Sequence, residues 1–159
     1  MKPSEKKCTP DHDQFIIEYS AFAKDSKEFM EDDGEVTYEF EKPILTNSGN
    51  YIGSMDFFFV YRTTYPKNDK IVTRQSVWIA EFKPETKSIS DAIRQLKVYG
   101  AYYPPSEKEG ISRKIIHTLR LEFVTYEDLL TDKIKQICEA SEVHWRGIKR
   151  GEQLGQRRL

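Results

Sequence analysis

The chain has few cysteines, no long apolar run and almost no net charge, and each of these absences excludes a class of protein. The two cysteines among 159 residues, Cys8 and Cys138, cannot supply a four-thiolate zinc site or an iron–sulfur cluster. The longest apolar stretch, residues 57–61, is far too short to cross a bilayer, so no membrane association is expected. A formal net charge of −1 counts against a protein that coats nucleic acid non-specifically.

What the chain does contain is the composition of a globular domain. Apolar residues make up 38% of the sequence and aromatic residues 13%, enough to predict one domain over residues 1–159 with an enclosed core. The N-terminus is charged and has no apolar segment behind it, so we expect no signal peptide and a cytoplasmic location. The polar ends, residues 1–10 and 148–159, are predicted to be flexible.

Apolar residues at helical spacing predict three helices. Ser88 with Asp91 has the spacing of a capping box ahead of the second helix, which ends before Pro104. The first helix is predicted from Asp11 to about Met30, the second after Ser88, and the third from Tyr126 to about Ala140.

Alternating or continuous apolar segments predict four strands. The polar stretches at residues 65–70 and 106–110 are predicted to be loops. The predicted strands are Val36 to Leu45, Tyr51 to Thr64, Thr73 to Lys83, and Ile115 to Val124. The order helix, three strands, helix, strand, helix (αβββαβα) predicts an α/β fold, with a mixed four-stranded sheet flanked by helices.

The strongest chemical signal is a pair of acids on two neighbouring strands. Glu81 and Lys83 lie two residues apart at the end of the third strand, so their side chains are predicted to share a face. Asp56 lies where the preceding strand becomes continuously apolar. Adjacent strands of a hairpin would bring Asp56 close to Glu81, which predicts a carboxylate site suited to Mg²⁺ or Mn²⁺. The alternatives are a turn-capping role for Asp56 and a surface ion pair of Glu81 with Lys83.

A polar residue on the second helix adds to this pattern. Gln95 and Tyr99 are four residues apart and therefore lie on one face of the helix. Gln95 could orient a scissile phosphate or the attacking water; the alternative is an ordinary exposed helix residue. Arg94 and Lys97 on the same helix could contact a DNA backbone, with solvated surface charges as their alternative role.

Three short motifs, in one order and on matching elements, resemble a known family. The motifs are Gly53-x-x-Asp56, Glu81-x-Lys83 and Gln95-x-x-x-Tyr99. Together they resemble the PD-(D/E)XK nuclease superfamily, which has the restriction-endonuclease-like fold, and most closely its RecB-like exonuclease branch. The resemblance implies a Mg²⁺- or Mn²⁺-dependent nuclease that is expected to act on DNA. The sequence leaves open whether it is an endonuclease or an exonuclease, and whether its substrate is DNA or RNA.

The resemblance also assigns roles to residues of this chain. Asp56 and Glu81 would bind the metal together with the backbone carbonyl of Phe82. Lys83 would orient or activate the nucleophilic water. Gln95 would act beside these groups, with Tyr99 helping to shape the substrate-binding side of the site.

A further acidic ligand is left open among three glutamates. The superfamily often has a glutamate on the first helix, where Glu18 is the best placed, while Glu39 and Glu41 on the first strand are rivals. The RecB-like branch often has a histidine on an early helix, and His12 is the only early histidine of this chain.

Two other functions compete with the nuclease. The first is a catalytically inactive nucleic-acid-binding module on the same fold, and the second is a protein-interaction domain. The expected partner of the enzyme is DNA. A homodimer is also open, although no segment of the sequence marks an interface.

Overall fold

The computed structural model describes residues 10–28 and 34–150 as a mixed α/β fold. No helix in these two ranges combines the length and the apolar character that crossing a membrane requires. Three helices, one 3₁₀ turn and six strands follow in the order α1 Pro10–Glu28, β1 Gly34–Leu45, β2 Tyr51–Lys67, β3 Lys70–Phe82, α2 Ile89–Gly100, β4 Ser106–Glu109, β5 Arg113–Tyr126, the turn Glu127–Leu129, α3 Asp132–Ala140 and β6 His144–Ile148.

The six strands form one mixed sheet. Its order is β1-β2-β3-β5-β4, and β6 also pairs with β5. The first three strands are antiparallel to one another, whereas β5 runs parallel to both β3 and β6. Because β3 and β5 are parallel, α2 forms the crossover between them. The mixed α/β class with flanking helices is therefore confirmed, but the number of strands is six instead of four.

Both additional strands lie along β5. Ser106–Glu109, predicted to be a loop, forms β4 against residues 114–117 of β5. Its four residues are polar, so pairing of the backbone decides this strand and no apolar pattern marks it. Ile148, predicted to belong to a flexible tail, is buried in β6 with 1% of its surface exposed. Pro10 likewise begins α1, and Arg150 pairs with Asp128 at 2.8 Å. Residues 1–9 and 151–159 of the predicted flexible ends lie outside the described residues.

The hairpin between β2 and β3 is tighter than its composition suggests. Asn68 and Asp69 alone form the turn, and both have positive φ values, 51° and 65°. Asn and Asp tolerate this left-handed conformation better than most residues, and two such residues match the twist of the flanking strands. The loop predicted at residues 65–70 was therefore too long, and the strands continue to Lys67 and from Lys70.

The second helix begins after Ser88 as predicted, but its cap and the start of the third helix differ from their predictions. Ser88 precedes α2 but makes no capping hydrogen bond with its side chain, so the predicted capping box is wrong. Its ψ of 26° differs from the extended backbone of a typical N-cap residue. Tyr126 ends β5, and α3 begins at Asp132. The Thr131 hydroxyl caps α3 by accepting a hydrogen bond from the Ile134 amide at 3.3 Å.

Each face of the sheet carries its own apolar core. On one face α1 covers an aromatic-rich core that includes Phe15, Phe57, Phe59, Phe82 and Tyr126. On the other face α2 and α3 cover a core that includes Ile79, Leu96, Tyr99, Phe123, Ile134 and Cys138. Burial raises the pKa of the Cys138 thiol to about 11, which makes this group a packing residue without nucleophilic character at neutral pH.

Candidate metal centre

The candidate site lies where β2 and β3 separate. Their pairing ends with Phe57 opposite Ala80. Beyond that point β2 continues to pair with β1, while β3 continues to pair with β5 as far as Phe82. Asp56 and Glu81 are the first residues past the last pair, so side chains instead of a backbone ladder join the two strands there.

Two reciprocal hydrogen bonds hold the acids at this separation. The backbone amide of Asp56 donates to Glu81 Oε1 at 3.0 Å, and the amide of Phe82 donates to Asp56 Oδ2 at 2.8 Å. Asp56 is 1% exposed and Glu81 is completely buried. Asp56 and Glu81 thus lie side by side, and backbone donors fix the direction of both carboxylates. A surface ion pair of Glu81 with Lys83 is excluded because Glu81 has no exposed surface.

Three donor side chains from three elements meet at this point. His12, Glu41 and Asp56 each offer a ligand atom, and these atoms all lie within 4.8 Å of one another. The His12 Nε2 atom is 3.8 Å from Asp56 Oδ1. Glu41 has a φ of 53°, and it interrupts the regular pairing of β1 with β2. A left-handed glutamate costs about 1–3 kcal/mol, so the surrounding structure must stabilise this conformation.

Packing of α1 on the sheet positions His12. The His12 ring packs edge-on against Phe82 with its centroid at 5.3 Å, and the Phe15 ring stacks on Phe82 at 5.6 Å. Phe15 is almost completely buried in the same aromatic core. The first turns of α1 therefore lie over the end of β3, and this contact brings the imidazole to Asp56.

The chemistry of these donors fits a divalent ion. Carboxylate oxygens are preferred ligands of Mg²⁺ and Mn²⁺, and an imidazole nitrogen beside them favours Mn²⁺ over Mg²⁺. With bonds of about 2.1 Å, opposite ligands of an octahedral ion are about 4.2 Å apart and adjacent ligands about 3 Å apart. The separation of 3.8 Å between His12 and Asp56 falls in this interval.

Glu41 is the only one of the three candidate glutamates that lies next to Asp56 among the described residues. Glu18 instead accepts a hydrogen bond from Gln14 on its own helix at 3.1 Å. Glu39 is exposed and pairs with Lys42 at 3.0 Å. Nothing in the sequence distinguishes Glu41 from its rivals, because the left-handed backbone that sets its position has no signature in the residue type.

Phe82 follows Glu81 and is the last residue of β3, and Lys83 comes directly after it. The Lys83 amide donates to the Val124 carbonyl at 2.9 Å, and the Thr125 hydroxyl donates to the Lys83 carbonyl at 2.7 Å. The backbone of Lys83 is thus fixed to β5. Its ammonium group makes no ion pair or hydrogen bond within residues 10–28 and 34–150. Its action on water, like metal binding by the Phe82 carbonyl, stays a prediction.

Tyr99 brings the second helix against β2 at Gly53. This side chain is 4% exposed, and its hydroxyl oxygen lies 2.7 Å from the position that a Cβ atom would occupy on Gly53. Only glycine permits this approach, three residues before Asp56. Gln95, one turn earlier, is half-buried, and its Oε1 atom accepts no hydrogen bond from the described part of the chain. Arg94 and Lys97 are exposed, and Arg94 pairs with Asp91 at 3.0 Å.

A second buried carboxylate, which none of the three motifs contains, lies on the α1 face. Glu122 is completely buried and accepts a hydrogen bond from the Tyr19 hydroxyl. Arg120 and Arg146 form ion pairs with the same carboxylate. Burial, followed by the nearby Glu122 charge, raises the pKa of Tyr19 well above its usual value. The sequence signal was an acid inside the apolar strand segment Leu121-Glu122-Phe123.

Comparisons with protein-family models, with curated proteins and with solved structures match nothing. What the site does must therefore be inferred from its own donors and from their positions at the separation of β2 and β3.

Proposed function

We propose that this protein is a metal-dependent deoxyribonuclease that hydrolyses phosphodiester bonds. The observation that carries the proposal is the pairing of Asp56 with Glu81 where β2 and β3 separate, with His12 and Glu41 gathered around Asp56. Several acids around one point form a site for a hard cation, and a hard cation is what attack on a phosphate requires.

The order of the elements supports a restriction-endonuclease-like core as part of this proposal. Helix α1 precedes the meander β1-β2-β3, and α2 crosses to the parallel strand β5. The three motifs also meet in space, because Tyr99 packs on Gly53 and Asp56 joins Glu81. These contacts favour membership of the PD-(D/E)XK superfamily near its RecB-like branch, with β4 and β6 added along β5.

Each residue of the site would have its own role in the reaction. Asp56, Glu41 and His12 would hold the ion, and Glu81 would complete the acidic wall beside Asp56. A bound Mg²⁺ or Mn²⁺ supplies a polarised water at neutral pH and neutralises charge on the attacked phosphate. Lys83, two residues past Glu81, would orient that water. Burial excludes water from around the carboxylates, so solvent screens their charges less than it would at the surface.

A cleavage assay with isosteric variants tests the proposal. The protein is incubated with closed circular and linear DNA, single- and double-stranded, in Mg²⁺ or Mn²⁺. We expect Asp56→Asn and Glu81→Gln to lower the cleavage rate by about 100-fold or more, because a ligand charge is lost while the acceptors of the two backbone hydrogen bonds are kept. Cutting of closed circles would establish endonuclease action.

The control for this assay is Glu107→Gln, which removes an exposed acid on β4 and should leave the rate unchanged. Full activity in Asp56→Asn would contradict the proposal. DNA binding by the wild-type protein without any cleavage would also contradict it, and would support the inactive nucleic-acid-binding module.

A further inference from the structure

Two arginines on neighbouring strands are held over the buried Glu122 carboxylate. The Arg120 Nη2 atom donates to Glu122 Oε2 at 3.1 Å, and the Arg146 Nε atom lies 3.5 Å from Glu122 Oε1. The side chains of the two arginines remain 43% and 38% exposed. One carboxylate balances only one of the two cations, so the cluster presents an excess positive charge to solvent.

Aromatic rings fix both guanidinium groups in place. The Arg120 guanidinium lies 4.7 Å from the centre of the Trp78 ring, and Arg146 lies 5.5 Å from the same ring. Arg146 also lies 5.3 Å from the Tyr19 ring. Such contacts limit the rotation of long side chains, so less conformational entropy is lost when a ligand binds. Each guanidinium has N–H groups that Glu122 does not use.

The arginine cluster lies on the same side of the sheet as the candidate metal centre and a short distance from it. His12 and Tyr19 are seven residues apart on α1, a rise of about 10 Å. Trp78 precedes Phe82, which the His12 ring contacts, by four residues on β3, which is about 13 Å. The two paths place the arginine cluster about 10–13 Å from the metal centre, so both can reach phosphates of the same DNA strand.

We propose that Arg120 and Arg146 bind a backbone phosphate of the DNA strand that enters the metal centre. Planar guanidinium groups recognise phosphate oxygens through paired hydrogen bonds, and prior fixation of the groups favours this contact. The inference rests on the proposed nuclease function for its ligand. Its physical basis is the pair of half-exposed guanidinium groups that aromatic rings hold in place over the buried Glu122 carboxylate. This arrangement does not depend on catalysis.

The test is a binding measurement with the full chain in EDTA, so that no cleavage occurs. Fluorescence anisotropy with a labelled 20-nucleotide single strand, and with its duplex, gives Kd over a range of salt concentrations. The key variant is Glu122→Gln combined with Arg146→Gln, which leaves the net charge unchanged and leaves no unpaired carboxylate in the core. We expect its affinity for DNA to fall about tenfold, the usual effect of losing one charged hydrogen-bonding contact.

The matched control is Arg113→Gln, which removes an exposed arginine at the far end of β5 and lowers the net charge. We expect its Kd to change less than about twofold, whereas loss of one phosphate contact in the double variant should reduce the salt slope by about 0.7 on single strands. An equal or larger effect of Arg113→Gln would overturn the inference, since binding would then follow the total charge. Thermal unfolding of both variants confirms that each is folded.

The outcomes separate this inference from the proposed function. Binding that depends on the arginine cluster without any cleavage in Mg²⁺ or Mn²⁺ would support the phosphate site and reject the nuclease. Cleavage by the wild-type protein, with equal DNA affinity in the double variant, would support the nuclease and reject the phosphate site.

Discussion

The two buried acid sites on this sheet are surrounded by different groups. Glu122 is bound by the Tyr19 hydroxyl and by two guanidinium groups. At the other site, backbone amides donate to one carboxylate oxygen of Asp56 and to one of Glu81. A further acid, Glu41, comes close to Asp56 together with His12.

The difference shows how burial of a carboxylate can serve structure or function. A buried charge is tolerated when hydrogen bonds and opposite charges stabilise it. At Glu122 the chain supplies both, so the carboxylate ties strands β5 and β6 to α1. At Asp56 the Phe82 amide sets the direction of the carboxylate, and Glu41 and His12 place further ligand atoms beside it. This second arrangement is the one expected of a cation site.

The comparison of Glu122 with Asp56 predicts its largest effect on the free energy of unfolding. We expect Glu122→Ala to lower the free energy of unfolding by about 2–4 kcal/mol, because it leaves two arginines without their anion, although their partial exposure allows some hydration. Asp56→Asn should change it by less than about 1 kcal/mol, since the amide oxygen still accepts from Phe82 and a charge leaves an acidic cluster. Urea unfolding of both variants at pH 7 measures the difference. Equal losses would mean that both acids are structural.

A smaller effect is expected at Gly53, where Tyr99 packs on β2 three residues before Asp56. Gly53→Ala would place a Cβ atom 2.7 Å from the Tyr99 hydroxyl oxygen, a distance that forces the ring to move. We expect a loss of about 1–3 kcal/mol in the free energy of unfolding. Combining it with Tyr99→Phe removes the closest atom and should recover part of that loss relative to Tyr99→Phe alone. If both backgrounds show the same loss, the clash with the hydroxyl is not its cause.

The sequence predicted the main elements and the acid pair because these depend on local patterns. Period-two alternation marks β1, and the apolar run after Asp56 marks the centre of β2. Antiparallel strands joined by a short hairpin bring Asp56 and Glu81 to the same end of the sheet, and the turn at Asn68 and Asp69 sets their register. The polar strand β4 could not be predicted, because pairing with β5 and not residue type determines it.

The parts of the site that the sequence left open have a similar cause. The position of Glu41 depends on a left-handed backbone, and that of His12 on the packing of α1 over Phe82. The cluster around Glu122 joins residues more than 100 positions apart, since Tyr19 and Glu122 meet only through the sheet. Such contacts depend on tertiary packing, which periodicity within one segment does not record.

Direct titration with Mn²⁺ tests the central claim, that the acids where β2 and β3 separate form a cation site and that Glu122 does not. Isothermal calorimetry compares the wild-type protein with Asp56→Asn and with Glu122→Gln. We expect the wild-type protein to bind Mn²⁺, Asp56→Asn to bind it about 10- to 100-fold more weakly, and Glu122→Gln to match the wild type. Absence of binding by the wild-type protein, or equal affinity in Asp56→Asn, would contradict the account.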